Sequence, residues 1–259
     1  MDTTLTNGLR LMEALCASDK RRGVTDLASE LNLPKSNVYR LLQTLSALEY
    51  VDQDPESSRY GPMLRVWEYG AMVADRLDVR IVARPILSKL AADTKETVHL
   101  SILSGVEVVY IDKVDSPFPL RSYSRVGGRA PAHCVATGKA LLAYADEATL
   151  TALGRIRLRR FTGTTITSQA RFAAALAEIR KRGYAINLGE WKEGVNGLAV
   201  AIFDHTRKPI AAVGITLPPA APSPETIRQL QARAAEISTA LGYKANQLSP
   251  FTRFNERAR

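Results

Sequence analysis

VTDLASELNLPKSNVYRLLQTLSAL, running from Val24 to Leu48, decides how the rest of the chain is read. In its first half Val24, Leu27, Ala28 and Leu31 recur three and four apart, the apolar stripe of a short helix. Thr25, followed by Asp26 and Glu30, is the expected N-cap. Asn32 and Leu33 turn the chain, and Pro34 is expected just inside the start of a second helix, where proline is best tolerated. In that helix Val38, Leu41, Leu42, Leu45 and Leu48 form the inward face. Lys35, Ser36, Asn37, Tyr39, Arg40 and Gln43 form the outward one. Cations, amides, a hydroxyl and an aromatic on one face are what a DNA recognition helix carries, because Arg and Lys reach phosphates or guanine and amides reach adenine edges. The competing reading is a helical hairpin with a solvated polar face. The continuation EYVDQDPESSRYGP favours the first: Tyr50 and Val51 open a strand, Asp54-Pro55 turns, and Ser58 to Tyr60 returns. Two helices and a small hairpin make a winged helix-turn-helix, with Arg59 on the wing within reach of phosphate. Thr25 completes the expected DNA-facing set.

The chain resembles the IclR family of bacterial transcription regulators. The matching stretches are LPKSNVYRLLQTL, ARPILSKLAADTKETVHLSIL (Ala83 to Leu103), RVGGRAPAHCVATGKALLAY (Arg125 to Tyr144) and IRKRGYAINLGEWKEGVNGLAVAIFD (Ile179 to Asp204), in the family's order. The resemblance implies an α+β protein: a winged helix-turn-helix over residues 1–61, a linker helix over 62–79, a GAF-like effector-binding domain over 80–248 and a frayed tail over 249–259. It implies that Ala136, Thr137, Asn187, Gly197, Gly214 and Thr216 line an effector cavity. Some relatives that sense small acids carry an acidic or sulfur side chain where this chain has Asn187 and Gly197, so a roomier cavity is expected here. Relatives usually carry Gly near Glu49, which puts the usual left-handed end of the recognition helix in doubt.

Composition sets limits. At 259 residues the chain is long enough for two domains, and 46% hydrophobic residues support a sizeable core. No apolar run approaches the ~20 residues of a membrane span, and MDTTLTNGLRLMEAL lacks the features of a signal peptide. Two cysteines make no disulfide framework. A cytoplasmic protein without membrane contact is expected. The net charge of +9 invites a nucleic-acid reading, but its distribution does not support one. Residues 1–80 carry 10 Lys and Arg against 12 Asp and Glu, so the basic half is the other one. Local placement of Lys35, Arg40 and Arg59 matters more than the total.

Leu5 to Cys16 reads as a helix with Leu9, Met12, Leu15 and Cys16 inward, and Cys16 as a small core residue. In the linker helix Leu64, Trp67 and Ala71 are apolar; Trp67 is a packing anchor or a dimer contact, and the resemblance favours the latter. Then follow a helix (Ile81 to Ala92), strands (Val98 to Leu103, Val106 to Val114, Leu120 to Ser124), a Gly127-Gly128 loop, short helices (Ala136 to Tyr144, Asp146 to Leu153), a helix (Ser168 to Arg182), strands (Tyr184 to Asn187, Leu198 to Phe203, Ile210 to Leu217) and a last helix (Pro224 to Leu241). Antiparallel strands flanked by helices give an α+β domain. The basic run RIRLRR, Arg155 to Arg160, reads as a solvated loop rather than a second DNA contact.

Enzymatic signals are weak. His99, His133 and His205 have no partner at metal-ligand spacing, so no metal and no cofactor is expected. His99 and His205 read as structural. His133-Cys134 has no orienting acid or oxyanion device in the sequence. A binding pocket is better supported: Ala136, Thr137 and Gly138 at a helix start suit a carboxylate, Asn187, Gly189, Asn196 and Gly197 form a second small or polar set, Gly214 and Thr216 on a late strand a third, and Leu120, Val135 and Leu198 are candidate apolar walls. The favoured reading is a non-enzymatic regulator that binds double-stranded operator DNA as a homodimer or dimer of dimers and responds to a small carboxylic acid. The alternatives are a redox sensor acting through Cys134 and an enzyme whose N-terminal helices mediate dimerisation.

Overall fold

The computed structural model describes residues 2–74, 78–118, 124–218 and 222–244. They fall into two compact units, Met1–Arg76 and Leu77–Arg259.

The first unit contains helices α1 (Thr3–Cys16), α2 (Val24–Leu31) and α3 (Lys35–Ala47), strands β1 (Val51–Gln53) and β2 (Tyr60–Pro62), and helix α4 (Leu64–Ala74). Its core gathers Leu11 and Leu15 of α1, Leu27 and Leu31 of α2, Val38 and Leu42 of α3, and Val51 and Tyr60 of the wing. In α1 the buried face is therefore Leu11, Ala14 and Leu15; Leu9 and Cys16 are exposed, contrary to expectation. Leu48 is exposed as well. It lies past the last turn of α3, so helical periodicity no longer aims it inward.

Three local devices differ from the sequence reading. Helix α2 starts two residues early: Gly23, not Thr25, is the N-cap, and the Asp26 carboxylate accepts from the Gly23 N–H at 3.4 Å. Pro34 occupies the N-cap of α3 and not its first turn. At the far end Glu49 adopts φ +61 although it is not glycine. The amide of Tyr50 donates to Leu45 O at 2.9 Å and that of Glu49 to Ser46 O at 3.0 Å. This is a Schellman closure, and its two bonds offset the roughly 1–2 kcal/mol cost of a left-handed non-glycine residue. The wing pairs Val51–Gln53 with Tyr60–Pro62, so the returning strand begins two residues later than read. The shift arises because Asp54 closes a longer turn: its carboxylate takes the Ser57 N–H at 2.8 Å and its amide donates to Arg59 O at 2.8 Å.

The second unit is built on an antiparallel sheet of six strands in the order β5-β4-β3-β8-β7-β6. These are β3 (Val98–Ser104), β4 (Glu107–Val114), β5 (Arg129–Pro131), β6 (Ala185–Leu188), β7 (Asn196–Phe203) and β8 (Pro209–Leu217). The expected strand and wall residue Leu120 falls in 119–123, outside the described residues, as does the 249–259 tail. Strand β5 was not foreseen. The remaining helices are α5 (Asp78–Thr94), α6 (Ala136–Leu142), α7 (Glu147–Gly154), α8 (Gln169–Arg182) and α9 (Pro224–Ala240).

Strand alternation sorts the sheet's two faces. Val98, Leu100, Leu198, Val200, Val213 and Ile215 pack with α5 and α9. Ala199, Ala201, Phe203 and Ala212 pack with α6 and α8. Small residues on this second face let α6 lie close. A Cβ at Gly214 would come 2.6 Å from Thr137 Cγ2, and one at Gly138 would come 2.2 Å from Ala132 O. Leu198, adjacent to Gly197, necessarily points to the α5/α9 side and is fully buried there. It is not a wall of the expected cavity.

Candidate functional site

On the first unit, Lys35, Ser36, Asn37, Tyr39 and Arg40 all lie exposed on one side of α3, and Thr25 is exposed on the first turn of α2. Tyr39 is 53% exposed, a large surface for an aromatic side chain. The arginines around the wing are engaged. Arg21 pairs with Asp52 at 2.8 Å, Arg22 with Glu30 at 2.7 Å, and Arg59 with Asp26 at 3.4 Å. Arg59 also donates to Arg21 O at 3.3 Å. Among the described residues neither Lys35 nor Arg40 is drawn into an ion pair, which leaves both charges available. Gln43 donates to the hydroxyl of buried Tyr60 at 3.4 Å, which ties it to the wing.

On the second unit, strand pairing collects residues far apart in sequence. His99 of β3 lies opposite Gly214 of β8, and Gly214 opposite Ala199 of β7. Thr216 lies opposite Gly197, and Gly197 opposite Asn187 of β6. His99 and the row Asn187, Gly197 and Thr216 border a cavity that Ala136 of α6 also lines, so four of the six expected residues line it. Thr137 and Gly214 do not line it. They stand behind it, with Gly214 closed off by Thr137 Cγ2 and His99 Nε2. The lining also includes His99, Tyr110, Ser124, Val135, Trp191, Lys192, Val195 and Asn196, of which Val135 and Asn196 were foreseen. His99 was legible in part, because on β3 it alternates with Val98 and Leu100 and must face the other side. Trp191 stands in a loop, where no periodicity points to a cavity.

The cavity is narrow. Its volume is about 40 Å³. The roomier site expected from Asn187 and Gly197 is not found: Ala136 Cβ stands 3.4 Å from where a Cβ on Gly197 would be, and His99, Tyr110 and Trp191 add large side chains to the lining.

Its electrostatics follow from burial. The His99 ring stacks edge-on against Tyr110 with centroids 5.1 Å apart, and its buried Nδ1 has no hydrogen-bond partner among the described residues. Burial, then the charge of Lys113, pulls the His99 pKa down to about 4, so the ring is neutral at physiological pH. Burial pushes the Tyr110 phenol up to about 12. Asn187 Nδ2 donates to Cys134 O at 3.0 Å, which leaves Asn187 Oδ1 buried and unpartnered. Lys192 Nζ lies 5.2 Å above the Trp191 ring.

An ion pair unseen in the sequence ties two walls together from outside. Lys139 on α6 contacts Glu190 at 2.5 Å, with side chains only 4% and 9% exposed. Thr165 Oγ1 donates to Glu190 O at 2.6 Å and Thr162 Oγ1 to Gly189 O at 2.7 Å, anchoring the loop that carries Trp191 and Lys192. Burial lowers the Lys139 pKa, and the charge of Glu190 opposes that shift.

The chemistry of Cys134 does not suit a redox sensor. It is fully buried, and burial, then the charge of Glu190, raises its pKa to about 12, so the reactive thiolate is scarce at neutral pH. His133 bonds Arg159 O at 3.0 Å and does not activate the thiol. Among the described residues no group of three or more His, Cys, Asp or Glu could hold a metal. Among them, too, no helix is long and apolar enough to cross a membrane. Arg155, Arg157, Arg159 and Arg160 are exposed and only Leu158 of that run is buried, as in a solvated loop.

Comparison with known proteins agrees with both halves. The IclR helix-turn-helix domain matches residues 4–55, and the bacterial transcriptional regulator IclR C-terminal family matches residues 71–241. The HTH-type transcriptional regulator XynR of Escherichia coli K12 is 37% identical over 227 residues, covering 86% of this chain and 90% of that protein. The HTH-type transcriptional regulator KdgR of the same strain is 36% identical over 238 residues, covering 90% of each. Both are transcriptional regulators. The crystal structure of IclR from Thermotoga maritima superposes with a TM-score of 0.76 at 33% identity, covering 93% of this chain and 99% of that one. An IclR homologue from Microbacterium hydrocarbonoxydans, in complex with 4-hydroxybenzoate, shares the fold at 24% identity and a TM-score of 0.82, covering 92% of this chain and 99% of that one.

Proposed function

Because the chain belongs to the IclR family of bacterial transcription regulators, we propose that it binds operator DNA through the outward face of α3 and changes its DNA affinity when a small carboxylic acid enters the cavity beside α6. Lys35, Ser36, Asn37, Tyr39 and Arg40 contact the duplex, with Thr25, Gln43 and Arg59 at the margins. Lys35 serves phosphate, and Asn37 and Arg40 serve bases.

The observation that carries the effector reading is the cavity itself: buried polar groups without protein partners, enclosed in a domain separate from the DNA-binding unit. Ala136, Asn187, Gly197 and Thr216 line the ligand, and Thr137 and Gly214 hold α6 against the sheet behind it. The free space is small, so the ligand widens the cavity as it enters, and this movement supplies the difference between conformers that a switch needs.

The protein acts as a dimer or dimer of dimers. A single recognition helix makes few base contacts, and paired half-sites supply the specificity. Leu64, Trp67 and Met72 of α4 are 68%, 67% and 58% exposed, apolar surface suited to a second copy.

The test uses the duplex upstream of the coding sequence and a screen of carboxylic acids that includes 4-hydroxybenzoate. A responsive ligand should alter DNA affinity roughly 5–150-fold, a coupling of about 1–3 kcal/mol. Arg40→Ala should cost roughly 1–3 kcal/mol at one base position, and Lys35→Ala should weaken all sequences alike. Ala136→Trp should still bind operator and lose the response. Full ligand affinity in Ala136→Trp puts the effector elsewhere.

A further inference from the structure

Helix α4 is the last element of the first unit, and only Met63 separates it from the wing strand β2. Of the side chains described on it, residues 64–72, none is buried, so the core of the unit does not fix its direction. One backbone bond, from the Met63 N–H to Tyr50 O at 2.9 Å, tethers the residue before it. A single bond at that point is a pivot about which a rigid helix swings.

Side chains convert the pivot into a fixed direction. Arg65 and Tyr69 stand four residues apart, on one side of α4 and about 6 Å apart along its axis. Between them they reach the two residues that close the recognition helix. The Arg65 guanidinium pairs with the Glu49 carboxylate at 3.1 Å and lies 5.6 Å from the centre of the Tyr50 ring. The Tyr69 ring stacks on the Tyr50 ring, with centroids 5.9 Å apart and planes 8° from parallel. Hydrogen bonding with Tyr50, then with Arg65, pulls the Tyr69 hydroxyl below the ordinary tyrosine range. Glu49 and Tyr50 are the residues whose amides complete the Schellman closure of α3. Glycine would take the left-handed conformation of Glu49 without strain, but it has no side chain for Arg65 to hold.

We propose that Arg65 and Tyr69 are positioning residues for the recognition helix: by gripping Glu49 and Tyr50 they lock α4 to the end of α3, so that the direction of α4 sets that of the DNA-reading face. This rests on the reading that α3 contacts the duplex, and adds what aims it. A dimer on paired half-sites needs its two recognition helices at a set spacing and angle. With a second copy on the apolar face of α4, the lock carries the geometry of that contact to α3. Each contact is exposed and contributes little to stability. Orientation depends on them all the same, because α4 has no buried anchor among its described side chains.

The experiment measures binding of the full chain to the duplex upstream of its coding sequence and to a scrambled duplex of the same length. Glu49→Gly is the deciding variant. It relieves a left-handed glutamate and removes a negative charge, so strain and electrostatics alone give an equally stable protein that binds both duplexes at least as tightly. The lock predicts the opposite on the upstream duplex, where affinity should fall about fivefold or more. Affinity for the scrambled duplex should not fall, and the unfolding midpoint should not drop. Tyr69→Ala should behave in the same way, and Tyr69→Phe, which keeps the stacked ring, should recover much of the loss. Arg65→Ala combined with Glu49→Gly should bind no more weakly than Arg65→Ala alone. Hydrogen exchange across residues 63–72 needs no DNA, and it should quicken in both Glu49→Gly and Tyr69→Ala. Unchanged or raised affinity of Glu49→Gly for the upstream duplex overturns the inference, as do additive losses in the Arg65→Ala double variant. Should the wild type show no preference for the upstream duplex, the operator reading falls for that duplex and exchange alone decides the lock. Unchanged exchange then overturns it, and faster exchange in both variants supports it.

Discussion

Replacing His99 with Gln should make the C-terminal unit less sensitive to acid. In the folded chain the ring is buried and its pKa lies at about 4, held down by burial and then by the Lys113 charge; in the unfolded chain it returns to its ordinary 6.5. Between those values the unfolded chain binds more protons than the folded one, so stability rises with pH across the window. The contribution is complete above about pH 6.5 and is lost as the pH falls to about 4. A tenfold change in proton affinity is worth about 1.36 kcal/mol, so the ring accounts for roughly 3 kcal/mol across the window. Gln cannot titrate and lacks this dependence. The assay is urea unfolding at a series of pH values, read by Trp191 fluorescence in a Trp67→Phe background so that only the C-terminal unit reports. The variant need not match the wild type at neutral pH, because the two proteins are compared by how steeply each profile falls. Carboxylates such as Asp146 and Asp204, held low by hydrogen bonds to Thr149 and Thr206, act equally in both proteins and cancel. The wild type should lose roughly 3 kcal/mol more than His99→Gln between about pH 7 and about pH 4. Parallel profiles would refute the burial of a neutral ring in the cavity.

Three further outcomes are expected. Lys139→Met leaves the Glu190 carboxylate buried without its partner and should destabilise the C-terminal unit by about 3–5 kcal/mol; adding Glu190→Leu should recover most of that, and a double mutant as unstable as the single would contradict the pairing. In the native protein Cys16 should react with a thiol reagent while Cys134 reacts only on unfolding, as mass spectrometry of the labelled peptides would show; early labelling of Cys134 would count against its burial. Neutralising Arg155, Arg157, Arg159 and Arg160 together should leave the salt dependence of operator binding nearly unchanged, and a slope reduced by several units would place them on phosphates.

The sequence carried the elements whose pattern is local. The recognition helix was legible because Val38 and Leu42 repeat at helical spacing while Lys35, Asn37 and Arg40 share the opposite side. The sheet was legible as strands because apolar residues in β3, β7 and β8 run in short stretches between turn signals. Exact ends were less legible, since backbone closure sets them: Glu49 takes a left-handed conformation because two hydrogen bonds hold it there, and the wing starts its return late because Asp54 closes the turn. The resemblance supplied Ala136, Thr137, Asn187, Gly197, Gly214 and Thr216 as cavity residues; the cavity beside α6 is lined by Ala136, Asn187, Gly197 and Thr216 but not by Thr137 or Gly214.

Only the tertiary structure decided what surrounds them. Cross-strand register brings His99 of β3 beside Gly214 of β8, more than a hundred positions later, and no one-dimensional spacing encodes that pairing. Nothing in the spacing of Lys139 and Glu190, 51 positions apart, pairs them; they meet, buried, only because α6 and the 189–195 loop come together. The volume of the cavity was likewise beyond the sequence. It depends on which side chains face the small ones, and here Ala136 stands against Gly197 while His99, Tyr110 and Trp191 join the lining. Burial and register arise from chain segments meeting in space, so they fix the protonation of His99 and the unmet acceptor of Asn187, which composition and periodicity leave open.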